Sequence, residues 1–110
     1  MNWIPLISED ELFAIIEKSK SKPQVIFKHS TRCSISTMAK SRLERSLFPS
    51  QADFYCLDIL AHRNISNKIA EGFGIAHESP QILIIKNGAC MYDESHLAIT
   101  MSDLMDQLQA

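Results

Sequence analysis

The sequence predicts an α/β fold in which helices flank a four-stranded mixed sheet, and three observations carry that prediction. Two short β-branched and aromatic runs, residues 24–28 and Asp53–Asp58, enclose an amphipathic helical pattern. That strand, helix, strand order implies a right-handed crossover that leaves the strands parallel. A third run, Gln81–Lys86, meets Asn87-Gly88 and then residues 89–93. Asn-Gly between such runs is a strong hairpin signal, so this pair should be antiparallel. Finally, 110 residues at 45% hydrophobic content supply one modest core, which predicts a single domain over residues 1–110.

Taken in order, Trp3-Ile4-Pro5-Leu6 is apolar but interrupted by proline, and is expected to cover the core edge as an irregular arm or short strand. Ser8-Glu9-Asp10-Glu11 has the spacing of a capping box and predicts a helix over about residues 8 to 20, with Leu12, Ile15 and Ile16 facing inward. Pro23 punctuates, and residues 24–28 suit a buried central strand. Beyond Cys33, Ile35, Met38, Ala39, Leu43 and Leu47 recur at steps of three and four. They are expected to form the inner face of a helix that ends before Pro49. Asn64 is a candidate cap for a third helix with Ile65, Ile69 and Phe73 inward, closed by Gly72 or Gly74. Thr100 is a candidate cap for the last, with Met101, Leu104, Met105 and Leu108 inward.

The net charge of −2 gives no general attraction to nucleic acid or to a membrane surface. No stretch approaches the roughly 18 apolar residues of a membrane span. Met1-Asn2-Trp3 leads into no basic, apolar leader, and the three cysteines are odd in number with no CxxC pair. Both features point to a reducing cytoplasm rather than to a disulfide framework. Charge is unevenly spread: seven of the eleven basic residues lie from Lys18 to Leu43 with no Asp or Glu among them. That segment reads either as a solvated face or as a positive field around Cys33.

Cys33 is the lead candidate for chemistry. It follows a buried strand, opens a helical pattern, and has Arg32 beside it with Lys28 and His29 just upstream. A helix start and basic neighbours lower a thiol pKa from about 8.5 toward roughly 3.5–7.5. Ser36 stands one helical turn on, where a dithiol oxidoreductase carries its second cysteine. A hydroxyl forms no disulfide but can donate a hydrogen bond to a thiolate. This CxxS spacing therefore implies a monothiol mechanism that needs an outside thiol. His29 is a candidate proton donor or positive neighbour, or a structural strand-end histidine. Ser79-Pro80, just ahead of the third run, offers a surface on which an extended disulfide substrate could lie. Cys56 and Cys90 read as structural, with a resolving role as the minority alternative. No metal-ligand spacing joins His62, His77 and His96 to the cysteines. A cysteine-phosphatase loop is disfavoured because Ala39 stands where it needs arginine, and no P-loop or dinucleotide fingerprint is present.

From Trp3 to the last helix the chain resembles the monothiol bacilliredoxins, YtxJ-like proteins of the bacillithiol system. The resemblance rests on Phe27-Lys28-His29-Ser30-Thr31-Arg32-Cys33-Ser34-Ile35-Ser36, Glu78-Ser79-Pro80-Gln81 and Ser95-His96. Ser34 departs from the proline that commonly follows the cysteine in that family. The resemblance implies a thioredoxin-like fold, Cys33 as nucleophile and Pro80 as a cis-proline. Ser36, Arg32, Thr31, Lys28 and His29 would then support the thiol, and Ser79 and Pro80 would meet substrate. It implies no bound cofactor, bacillithiol as cosubstrate, and bacillithiolated proteins as partners, with Lys28 and Arg32 attracting the carboxylates of the small thiol. The alternative is a non-catalytic thioredoxin-like binding or redox-sensing module. Oligomeric state is open.

Overall fold

The computed structural model describes residues 3–109; the leader reading made on Met1 and Asn2 lies outside them. One sheet has the strand order β1-β3-β2-β4-β5, formed by β1 (Ile4–Pro5), β2 (Gln24–His29), β3 (Asp53–Asp58), β4 (Gln81–Lys86) and β5 (Ala89–Ser95). Its helices are α1 (Glu9–Lys18), α2 (Ser34–Glu44), α3 (Arg63–Phe73) and α4 (Met101–Gln109), with a short 3-10 turn at His96–Ala98. The sheet is mixed, as predicted, but has five strands rather than four. Ile4 and Pro5 pair parallel with Tyr55 and Cys56, and a proline is tolerated there because an edge strand has one unpaired side.

Strand β2 runs parallel to β3, from Gln24↔Asp53 to His29↔Asp58, and antiparallel to β4, where Lys28 faces Gln81. The chain leaving β2 toward Cys33 and the chain entering β4 through Pro80 therefore meet at one sheet edge. Side chains alternate across β2. Val25 and Phe27 pack with Ala39 and Leu43 of α2 and Leu104 and Leu108 of α4. Ile26 packs on the other face with Leu12 and Ile15 of α1 and Ile65 and Ile69 of α3.

Local signals explain most helix and turn boundaries. Ser8 Oγ accepts the Glu11 N–H at 3.2 Å while the Glu11 carboxylate accepts the Ile7 N–H at 3.0 Å, which satisfies one otherwise open donor in the first turn of α1 and one just ahead of it. Thr100 Oγ1 accepts the Asp103 N–H at 3.1 Å and starts α4. Asn87 and Gly88, at φ 55° and 79°, make the tight turn of the β4–β5 hairpin. His62 rather than Asn64 holds the N-cap position of α3, with no side-chain capping hydrogen bond, and the Asn64 amide donates instead to the Glu9 carboxylate at 2.9 Å. Gly74 ends it in the left-handed conformation, φ 68°.

The inner face of α2 differs from the expectation. Ser36, Ala39 and Leu43 are buried, whereas Ile35 and Met38 are exposed and Leu47, beyond the helix end, is 90% exposed. A small residue at position 39 lets the helix lie close on β2, and hydrogen bonds to the end of that strand draw Ser36 inward. Ile35 and Met38 are thereby rotated outward. Met105 is likewise on the exposed flank of α4, since Met101, Leu104 and Leu108 occupy the buried stripe.

Candidate active site

Four residues turn the chain from the end of β2 into α2. The Cys33 N–H donates to Ser30 O at 3.2 Å, closing a tight turn, and Cys33 takes the N-cap position with extended φ −110° and ψ 119°. Its carbonyl accepts the Thr37 N–H at 3.0 Å and the Thr37 hydroxyl at 3.2 Å, so the residue is locked into the helix start. The thiol is half-buried and free. Backbone N–H groups in the first helical turn lack partners within the helix, and their dipoles favour an anion beside them. The first turn of α2 holds no acidic residue to oppose this.

Ser36 is fully buried and belongs to a different bond from the one expected. Its Oγ accepts the Ser30 N–H at 3.0 Å and lies 2.7 Å from His29 Nδ1. A neutral His29 that accepts the hydroxyl proton at Nδ1 carries its own proton on Nε2, an assignment made from the network. Burial, then the Lys40 charge, lower the His29 pKa below 6.5 against the opposing pull of Asp58 and Glu44. At neutral pH His29 is therefore neutral, which removes it as a positive neighbour. It stacks on Phe27 with ring centroids 5.8 Å apart. The Ser36 hydroxyl thus pins the turn carrying Cys33 to both helix and strand, where donation to the thiolate was expected.

Lys28 also corrects its sequence reading. The strand alternation that turns Phe27 toward α2 turns Lys28 to the opposite face. There its fully buried Nζ donates to Ser66 O at 3.2 Å and lies 3.3 Å from His77 Nδ1. Burial lowers its pKa from 10.5 to about 8. The acid-free segment is dispersed in the same way: Lys20 pairs with Glu17, Lys22 with Asp53 and Lys40 with Glu44. Lys18, Lys20 and Lys22 precede β2 and so belong to the edge opposite Cys33. Thr31 and Arg32 remain exposed beside the thiol.

Facing this turn across the sheet edge, the Ser79–Pro80 peptide is cis and Pro80 is buried. Pro80 O accepts the His96 N–H at 2.9 Å, and His96 Nε2 lies 3.3 Å from the Glu78 carboxylate. Two contacts thus tie the 3-10 turn to the loop ahead of β4. Burial raises the Cys56 thiol to about 11 and also pushes Cys90 up. Both stay protonated at neutral pH. Among the described residues no three His, Cys, Asp or Glu side chains group to hold a metal ion, and no helix is long and apolar enough to cross a membrane. His77 was missed as a site neighbour. The available signal was Lys28 itself, because a lysine closing a buried strand needs polar partners from elsewhere in the fold.

A family model described as monothiol bacilliredoxin BrxC matches residues 4–104. Among solved structures, a protein described as a thioredoxin-fold oxidoreductase is 32% identical, with a TM-score of 0.83 over 94% of this chain and 91% of its own. Thioredoxin from Malassezia sympodialis is 21% identical, with a TM-score of 0.73 over 98% of this chain and 89% of its own. Thioredoxin O2 from Arabidopsis thaliana is 19% identical, with a TM-score of 0.73 over 98% of this chain and 95% of its own. The last two likenesses concern the fold alone.

Proposed function

Because the chain belongs to the monothiol bacilliredoxin family and has the thioredoxin fold, with thiol redox chemistry as its function, we propose that Cys33 removes bacillithiol from protein mixed disulfides. The observation that carries this reading is a free, half-buried thiol at the N-cap of α2 with a serine, Ser36, one turn on. Cys33 S⁻ attacks the bacillithiol sulfur of a protein–bacillithiol disulfide. That S–S bond breaks, the protein thiolate leaves and takes a proton from water, and a Cys33–bacillithiol disulfide forms. A second bacillithiol thiolate then attacks the bacillithiol sulfur on Cys33. This releases Cys33 S⁻ and oxidised bacillithiol, so over the cycle one free bacillithiol thiol is consumed, one protein thiol is released and the disulfide bond passes from the protein to the pair of small thiols.

Ser36 forms no disulfide with Cys33, so the first adduct waits for the outside thiol. Ser79 and Pro80 form the wall along which the substrate backbone lies, and Arg32 and Thr31 present charge and a hydroxyl to the small thiol. Bacillithiolated proteins are the partners, no bound cofactor is required, and the setting is the cytoplasm. To test this, the reduced protein is mixed with a model protein carrying one bacillithiol disulfide, and intact mass and peptide mapping follow the products. Bacillithiol on Cys33 with release of the free model protein is expected. Release without an adduct at Cys33, or no release at all, contradicts the proposal.

A further inference from the structure

Lys28 is a buried cation that the exchange chemistry at Cys33 does not use. Its Nζ donates to Ser66 O within α3 and meets His77 Nδ1, and Ser66 Oγ lies 3.2 Å from the same His77 nitrogen. Its cross-strand neighbour Gln81 is also buried, and the Gln81 amide donates to Ala76 O at 3.1 Å. These contacts converge on residues 76 and 77, which run directly into Ser79–Pro80. Among the described residues no carboxylate enters the cluster: Glu78 acts electrostatically on His77, where it is opposed by Lys28 and Arg63. Burying an ammonium without a counter-ion costs stability, and departures of that kind concentrate where geometry serves function.

We propose that Lys28 is a positioning residue for the exchange site, clamping residues 76–80 to β2 and α3 so that the Pro80 wall is held in register with the turn carrying Cys33. The inference deepens the exchange reading and rests on it. The ammonium sits one residue before His29 on β2, so a single side chain fixes the thiol-bearing strand end to the loop that faces it. The ligand concerned is the polypeptide around the mixed disulfide, which lies along that loop. A small reagent that touches Cys33 alone does not need it.

The test compares wild type with Lys28→Met, His77→Ala and His77→Asn, the last retaining a polar acceptor near the Nδ1 position. KM and kcat are measured on a bacillithiolated model protein, and the iodoacetamide rate at Cys33 is measured across pH. Losing a hydrogen bond to a charged group is worth roughly tenfold or more. KM should therefore rise about tenfold in Lys28→Met and His77→Ala, with kcat and the alkylation profile unchanged and His77→Asn close to wild type. An unchanged KM in both, or an alkylation profile that shifts with KM, overturns the positioning role, the latter by making Lys28 a partner of the thiol. His77 is exposed, so His77→Ala still decides the matter if Lys28→Met does not fold. A wild type that exchanges with no protein disulfide overturns the exchange reading and this inference with it.

Discussion

Replacing Lys28 with methionine should change the pH dependence of stability in a defined window. Burial lowers the Lys28 ammonium from 10.5 to about 8 in the folded protein, while unfolding restores the ordinary value. Between those two pH values the unfolded chain binds more protons than the folded one. Wild type therefore gains stability as pH rises through the window, and loses that gain as pH falls through about 8. At about 1.4 kcal/mol per pH unit the window is worth about 3 kcal/mol. Other groups act in the opposite sense over the same range. Burial holds Cys56 up at about 11 and raises Cys90, Tyr55 and Tyr92, so each stabilises below its unfolded pKa and loses that contribution as pH rises. Those groups remain in the variant and cancel in the difference between the two proteins. The assay is urea denaturation of both, reduced, at about pH 7 and pH 10.5. The stability of Lys28→Met relative to wild type should fall by about 3 kcal/mol between the two conditions. A difference that stays constant refutes the burial of a charged Lys28.

Ser36→Ala leaves the buried Ser30 N–H without its acceptor and should cost about 1–3 kcal/mol in denaturant midpoint experiments; a neutral outcome would mean that the hydroxyl does not pin the turn. Ser36→Cys supplies the missing second thiol, and oxidation should then yield an internal disulfide with Cys33 in place of a stable mixed-disulfide adduct, as read by intact mass. Native-state alkylation near pH 8 should modify Cys33 while sparing Cys56, whose thiol is held up at about 11, and Cys90, whose thiol is also raised; peptide mapping that finds Cys56 labelled first would contradict the burial argument. As pH falls below 6.5, the lowered pKa values of His29 and His77 predict a loss of stability, and His29→Gln should blunt it in denaturation curves taken between about pH 7 and pH 5.

The parts of the fold visible in the sequence are those set by short-range pattern. Residues 24–28, 53–58 and 81–86, the Asn87-Gly88 turn and the Ser8 and Thr100 caps each depend on a few adjacent residues. The location of Cys33 at a helix start was visible for the same reason. Features decided by distant partners were not. For residues 3–6 the sequence left an irregular arm and a short strand equally open, and the strand at Ile4 and Pro5 is decided by the edge that β3 offers. The rotation of α2 is set by Ala39 and Ser36 against β2, a choice that the apolar spacing of Ile35 and Met38 conceals. Lys28 is the sharpest case, since its partners Ser66 and His77 lie 38 and 49 residues away in the chain. Proximity to Cys33 in sequence suggested a thiolate partner, but side-chain alternation along a strand sends neighbours to opposite faces.

The central claim is that one thiol, regenerated from outside, suffices for turnover. The direct measurement is multiple-turnover release of a bacillithiolated model protein by the double variant Cys56→Ser, Cys90→Ser, with free bacillithiol in excess. Turnover at the wild-type rate is expected, with Cys33 cycling through its bacillithiol adduct. A single stoichiometric release followed by arrest in the double variant, while wild type continues, would contradict it by assigning the resolving step to Cys56 or Cys90.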